Sequence, residues 1–149
     1  MKFNYSLQSV LDYKKQIEDF KKEDFADANN RLNKENDVLD NISHTHQKAM
    51  ESLTHKKQFE IQEQKHYAQY MINLESKIQE QKNKVNHCEQ QRDEARIKLE
   101  SAQKERKIME SLEEKELEQF IKEIKLKEEK ELNEIATIGF ARNKKGIST

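Results

Sequence analysis

The side chains of this sequence that could bind a metal are five histidines and one cysteine. A zinc site on a helix needs two ligands four residues apart, because that spacing puts both side chains on one face. No pair of histidines has this spacing, and Cys88 lies beside a histidine rather than across a face from it. We therefore predict no metal site and interpret the histidines as solvated or at the edge of a packing seam: His44, His46, His55, His66 and His87.

Carboxylates are plentiful and include the adjacent pairs Glu113-Glu114 and Glu128-Glu129. Acid–base catalysis requires carboxylates in a desolvated pocket that shifts their pKa values, and a chain this polar offers none. The glycines, Gly139 and Gly146, both lie near the C-terminus, so there is no glycine-rich phosphate loop. The sequence predicts a protein that is not an enzyme and has no cofactor.

The composition indicates long helices rather than a compact domain. The 149 residues are 38% charged and 33% hydrophobic, with no proline and two glycines. Disorder is the rival interpretation, because low hydrophobicity and high charge also mark unfolded chains. Opposite charges nearly cancel, however, and Glu, Lys, Gln, Leu and Arg are good helix formers. Such a chain forms stable helices when its apolar residues fall in a periodic stripe.

Charge and hydropathy also exclude classes of partner. A net charge of −1 provides no basic surface for a phosphate backbone, so nucleic acid is not an expected partner. No apolar run is long enough to span a membrane, and the N-terminus does not resemble a signal peptide. The single cysteine, Cys88, forms no internal disulfide and suits a reducing cytoplasm.

Two coiled-coil seams follow from the spacing of the apolar residues. Alternating steps of three and four residues from Phe25 to Leu53 meet mainly apolar positions. Before Phe25 the stripe is better followed through Leu7, Val10, Lys14 and Ile17, which predicts a register slip near Phe25. The second seam runs in the same steps from Met71 to Met109, with Gln81, Arg92 and Arg106 as polar interruptions. These residues are expected to fix the register, the arginines by pairing with carboxylates such as Glu18 or by extending to solvent.

The phase break between the seams predicts that the chain folds back on itself. We expect one domain over 1–149, with helix one about 4–56, a turn about 56–62, helix two about 62–138 and a frayed basic tail 139–149. The fold class is all-α, a long antiparallel two-helix coiled-coil hairpin that is monomeric when isolated. The longer second helix is expected to extend unpaired at its C-terminal end. A single continuous helix of about 130 residues is the alternative.

Aromatic residues cluster near the N-terminus and near the start of the second helix: Phe3, Tyr5, Tyr13, Tyr67 and Tyr70. Aromatic side chains dominate the energy of many protein interfaces, which makes these positions candidate partner contacts. They could equally close the ends of the seam, and the sequence leaves both interpretations open.

Three segments resemble the FliJ family of flagellar type III export proteins. The first is Phe3-x-Tyr5-x-Leu7-x-x-Val10-Leu11-x-Tyr13, and the second is Tyr67-x-x-Tyr70-Met71-x-x-Leu74-Glu75-x-x-Ile78. The third joins Arg106-Lys107-x-Met109-Glu110-x-Leu112-x-Glu114-Lys115 to Lys130-Glu131-Leu132-Asn133-Glu134-Ile135-Ala136. The chain departs from the family pattern at Asn133, where Asp is usual, and at Tyr70, where Phe is common.

The resemblance implies a fold similar to the coiled coil of the ATP synthase γ subunit and a role as a non-catalytic export stalk. Such a stalk binds in the centre of the hexameric flagellar export ATPase and promotes assembly of its ring. It also contacts export chaperones and the cytoplasmic part of the export-gate membrane protein. The implied location is cytoplasmic, peripherally associated with the cell membrane at the flagellar base, without insertion into the membrane.

The resemblance also implies two sets of contact residues. The gate-binding residues would be Tyr70, Leu74, Lys77 and Gln81, whose spacing places them on one helical stripe. The ATPase-binding residues are assigned by location, at the end where the termini meet: Phe3, Tyr5, Leu7, Leu11, Ile121, Ile124, Ile135 and Arg142. Alternative functions are the equivalent stalk of a virulence type III secretion system and a generic homodimeric coiled-coil spacer.

Overall fold

A computed structural model of the chain describes residues 1–147. It contains two helices, α1 over Gln8–His55 and α2 over Ile61–Ile147, joined by residues 56–60. The chain is 92% helical and the two helices pack against each other, which confirms the predicted all-α hairpin class. Neither helix, over the residues that the structure describes, has an apolar stretch that could cross a membrane.

Residues 17–103 form one compact unit, the turn unit. Its core contains Ala28 and Leu32 from α1 and Met71, Leu74 and Val85 from α2. The α2 positions predicted as the seam are all buried or half-buried here: Met71, Leu74, Ile78, Gln81, Val85, Cys88, Arg92, Ala95, Leu99 and Ala102. The heptad spacing therefore identified the face of α2 that packs in this unit.

A second compact unit, the terminal unit, contains residues 1–16 together with the chain from Lys104 onward. Leu11 is its most deeply buried side chain, with 1% of its surface exposed. Tyr5 is also buried, and its hydroxyl donates a hydrogen bond of 2.9 Å to the backbone carbonyl of Met109. Lys14 adds an ion pair of 2.9 Å with Glu105. The N-terminal segment is thus attached to α2 by burial and by directed polar contacts.

The start of α1 uses a carboxylate from α2. The first turn of α1 contains no acidic residue of its own. Glu116 compensates, since its carboxylate accepts hydrogen bonds from the backbone N–H of Ser6 at 3.2 Å and the Ser6 hydroxyl at 2.9 Å. A negative charge beside a helix N-terminus is favourable, because the unpaired N–H groups there carry partial positive charge.

The predicted register slip near Phe25 is wrong. Leu11 and Glu18 are buried and Lys14 is half-buried, so they continue the spacing that begins at Phe25 back to the start of α1. Leu7, by contrast, is exposed. The prediction followed the apolar residue types, whereas the heptad spacing of the buried positions in α1 is unchanged across Phe25. This spacing places the charged residue Glu18 at a buried position, where its carboxylate pairs with Lys22 at 3.5 Å.

The helix ends also differ from the prediction. Helix one starts at Gln8 rather than near residue 4, because residues 1–5 have no regular secondary structure and Phe3 and Tyr5 instead contact α2. The connection at 56–60 lies within the predicted turn of 56–62. At the end of α1, the Thr54 hydroxyl donates to the carbonyl of Glu51 at 2.8 Å and satisfies one of its last acceptors.

The frayed tail predicted for 139–149 is wrong over its described part, since α2 continues through Gly139 to Ile147. A glycine inside a helix costs only about 1 kcal/mol relative to alanine, and Lys144 and Lys145 in the last turn favour the helix dipole. Ser148 and Thr149 lie outside the described residues. The side chains of residues 125–146 are all exposed, as expected for the longer helix, and we call this stretch the C-terminal extension.

The burial of Leu11 gives a stability prediction. Leu11→Ala should lower the free energy of unfolding by about 2–4 kcal/mol, because it removes buried methyl groups and leaves a cavity. Tyr13→Ala, at an exposed position two residues away, should change it by less than about 0.5 kcal/mol. Urea unfolding followed by circular dichroism measures both. Equal effects of the two substitutions would contradict the packing described for the terminal unit.

Candidate partner-binding surfaces

The four residues predicted to bind the export gate divide into two pairs. Tyr70 is 44% exposed and Lys77 is also exposed, whereas Leu74 and Gln81 retain only 6% and 5% of their surface. Tyr70 and Lys77 are one heptad apart and border the seam, while Leu74 and Gln81 lie within it. Only the first pair is therefore presented to a partner in this structure.

Gln81 has a defined partner within the turn unit. Its side-chain amide donates to the backbone carbonyl of Glu35 at 2.9 Å and to the Glu35 carboxylate. A buried amide without these acceptors would be strongly disfavoured, so the pair favours one alignment of α1 with α2. Gln81 thus has the register-fixing role expected of a polar seam residue.

An aromatic cluster lies where the chain reverses direction. Phe59, in the connection, meets Tyr67 of α2 edge to face, with ring centroids 5.7 Å apart. The ammonium of Lys56 lies 5.0 Å from the Phe59 centroid and 5.6 Å from that of Tyr67, and it pairs with Glu63 at 3.1 Å. Cation–π and aromatic contacts of this kind stabilise a connection that has neither glycine nor proline.

This cluster leaves an open apolar surface on α2. A shallow depression lined by His66, Tyr67 and Tyr70 faces solvent beside it. Of the two interpretations of the α2 aromatics, Tyr67 closes the end of the packing and Tyr70 stays available to a partner. Sequence reasoning missed Phe59 and Lys56, although an aromatic residue in an otherwise polar connection was a signal that could have identified the cluster.

The residues assigned to ATPase binding all belong to the terminal unit, but they have different roles there. Tyr5 and Leu11 are core residues, and Phe3 packs against Phe120 with centroids 5.5 Å apart. Burial raises the pKa of the Tyr5 hydroxyl, and the carboxylates of Glu116 and Glu113 raise it further. The hydroxyl therefore keeps its proton at neutral pH and remains a donor to Met109.

The rest of that set is accessible. Leu7 and Ile121 are exposed and Ile124 is half-buried at the edge of the packed region. Ile135, 66% exposed, and Arg142 lie on the C-terminal extension. The structure therefore brings Phe3, Tyr5 and Leu11 together with the middle of α2, and it places Ile135 and Arg142 farther along the helix.

The histidine, cysteine and arginine side chains of the seam lie in packed or ion-paired positions. No cluster of His, Cys, Asp and Glu within residues 1–147 could bind a metal ion. Cys88 is half-buried on the seam. His46 lies 3.6 Å from Glu75 across the turn unit, at the edge of the seam. Arg92 pairs with Asp93 at 3.2 Å, and Arg106 with Glu110 at 2.8 Å. Each arginine thus has a carboxylate partner on its own helix.

The difference in burial among the four residues predicted to bind the export gate predicts that their substitution changes stability unequally. Leu74→Ala should lower the free energy of unfolding by about 2–3 kcal/mol, and Gln81→Ala by about 1 kcal/mol through the lost amide contacts. Tyr70→Ala and Lys77→Ala should each change it by less than about 0.5 kcal/mol, because both side chains are exposed outside the buried seam. Denaturant unfolding of the four variants measures this. A large loss on substituting Lys77 would show that it belongs to the core.

A family model described as "Flagellar FliJ protein" matches residues 2–145. No curated protein matches the chain significantly. No solved structure does so either. The family match covers nearly the whole chain and includes both helices and the N-terminal segment. The chain therefore belongs to the FliJ family.

Proposed function

We propose that this chain is a stalk that binds in the centre of the hexameric flagellar export ATPase and promotes assembly of the ring. The observation that carries the proposal is the family match over residues 2–145, since the FliJ family is a non-catalytic component of flagellar protein export. Two paired helices with exposed residues at both ends suit a protein that acts by contacting others. The family match also favours the flagellar system over a virulence secretion system or a generic spacer.

The face of the C-terminal extension that carries Ile135 and Arg142, together with the neighbouring exposed Ile121, is the proposed contact with the ATPase. Ile121 and Ile135 expose apolar surface on α2, and Arg142 adds a charge. Exposed aliphatic residues can be buried by a partner without rearrangement of the core. Tyr5 and Leu11, which are buried, support this surface by attaching the N-terminal segment rather than by contacting the ATPase.

Tyr70 and Lys77 are the proposed contacts with the cytoplasmic part of the export gate. Both are exposed, Tyr70 lines the shallow aromatic depression near the turn, and an exposed tyrosine is a frequent interface residue. We also propose that this chain binds export chaperones. The proposed location is the cytoplasmic side of the flagellar base, in peripheral association with the membrane.

The ATPase contact is tested with two variants of the C-terminal extension. Ile135 and Leu126 are 66% and 57% exposed, and their separation of nine residues puts them on opposite faces of α2. Ile135→Asp should abolish the stimulation of ATP turnover and hexamer formation by the cognate export ATPase, and Leu126→Asp should preserve both. Equal stimulation by the two variants would refute the assigned face. No effect of the native chain on the ATPase would refute the stalk.

The gate contact has its own matched pair. Tyr70→Ala should weaken binding to the purified cytoplasmic part of the gate by about tenfold, as expected when an aromatic interface residue is truncated. Ile72→Ala is the control, since Ile72 is exposed two residues away on a different side of α2. Binding is measured by calorimetry. An unchanged affinity for the Tyr70 variant would refute the assignment.

A further inference from the structure

The C-terminal extension continues the packing face of α2 with side chains that are exposed in the structure. Within the terminal unit, Met109, Glu113, Glu116, Phe120 and Ile124 are half-buried, and they mark the face of α2 that meets the N-terminal segment. Beyond Ile124 the same face is continued, in steps of three and four residues, by exposed side chains: Glu128, Glu131, Ile135, Ile138, Arg142 and Lys145. We call these six residues the extension stripe.

The extension stripe has a symmetric order of residue types. Two glutamates come first, two isoleucines lie in the centre, and an arginine and a lysine come last. In heptad terms Glu128, Ile135 and Arg142 occupy a positions, and Glu131, Ile138 and Lys145 occupy d positions. When two antiparallel helices pack, an a residue of one meets a d residue of the other. The stripe can therefore meet a reversed copy of itself in register.

We propose that the extension stripe is a self-association surface through which two copies of this chain pair in antiparallel orientation. With Ile135 opposite Ile138 of the second copy, Glu131 falls opposite Arg142 and Glu128 opposite Lys145. The other half of the contact repeats these pairs by symmetry. All four acidic and all four basic side chains of the two stripes then meet a residue of opposite charge.

A parallel pairing does not have this complementarity. It would place Glu131 opposite Glu131 and Arg142 opposite Arg142, and like charges facing each other destabilise the contact. Charge order thus selects both the partner, a second copy, and its direction. The four isoleucines supply the apolar centre, and Leu132 flanks them.

The contact is short, so the association is weak. The overlap from Glu128 to Lys145 spans about 27 Å of helix, and its apolar centre is small. The chain is accordingly monomeric when dilute and dimerises as its concentration rises. Because Ile135 and Arg142 are also proposed ATPase contacts, dimerisation would compete with the ATPase. This last consequence rests on the proposed function, whereas the pairing itself does not.

Charge-exchange variants of the full-length chain test the pairing by sedimentation velocity over a concentration series, without any other protein. Glu131→Arg and Arg142→Glu should each raise the dimer dissociation constant by about tenfold or more, because two symmetric pairs become repulsive. The double variant should return to the native value, since the exchanged charges again meet their opposites in the antiparallel arrangement. All four substituted side chains of the dimer lie on exposed helix, and circular dichroism checks that folding is unchanged.

Three results would overturn the proposal. The first is a native chain that remains monomeric up to millimolar concentration. The second is a dimer whose dissociation constant is the same in the native protein and both single variants, which would locate the contact elsewhere. The third is a double variant as weak as the single ones, because the exchanged charges should attract again if Glu131 of one copy faces Arg142 of the other. None of these results bears on the ATPase measurement, so the two proposals fail separately.

Discussion

The structure depends on the burial of one stripe of α1 against one stripe of α2. A chain with 38% charged residues cannot enclose a globular core, and it can bury apolar surface only along a line. In the turn unit that line contains Leu32, Met71, Leu74 and Val85. In proteins most helical stability comes from the packing of an apolar face, so packing along this stripe stabilises the paired parts of the two helices. The hydrogen bonds, ion pairs and aromatic contacts described above determine how the two stripes are aligned and where their packing begins and ends.

The polar contacts set the alignment rather than the strength of the packing. Gln81 bonds to Glu35 in the turn unit, while in the terminal unit Tyr5 bonds to Met109 and Ser6 to Glu116. Each joins residues far apart in sequence, and each would be lost if one helix shifted by a turn along the other. Where the chain reverses direction, the cation–π contacts of Lys56 with Phe59 and Tyr67 stabilise a connection that contains neither glycine nor proline.

Heptad spacing was sufficient to predict the two helices, the α2 seam and the position of the reversal, because those features follow from where apolar residues repeat. It failed where residue type and position disagree. Glu18 is a charged residue at a buried position and Leu7 an apolar residue at an exposed one, so following apolarity introduced a register slip that does not exist. Gly139 suggested a helix end, although one glycine is a small cost in a long helix.

The candidate surfaces were predictable only in part, for a related reason. The spacing of Tyr70, Leu74, Lys77 and Gln81 identified a stripe, but the boundary between seam and surface passes through it. That boundary depends on the position of α1, and the spacing of apolar residues within α2 does not determine that position. The contribution of Glu116 to the start of α1 was likewise hidden, since it joins residues separated by 110 positions.

The packing of the two helices of one chain on each other is tested most directly by a distance measurement within the turn unit. Spin labels on cysteines replacing the exposed Lys34 and Lys82, in a Cys88→Ala background, flank the contact between Glu35 and Gln81. The doubly labelled chain is diluted with excess unlabelled chain, and the interspin distance is measured by double electron–electron resonance. A short interspin distance that is unchanged by dilution is the predicted result. A short distance that disappears on dilution would show that the helices pair between chains and would contradict the account.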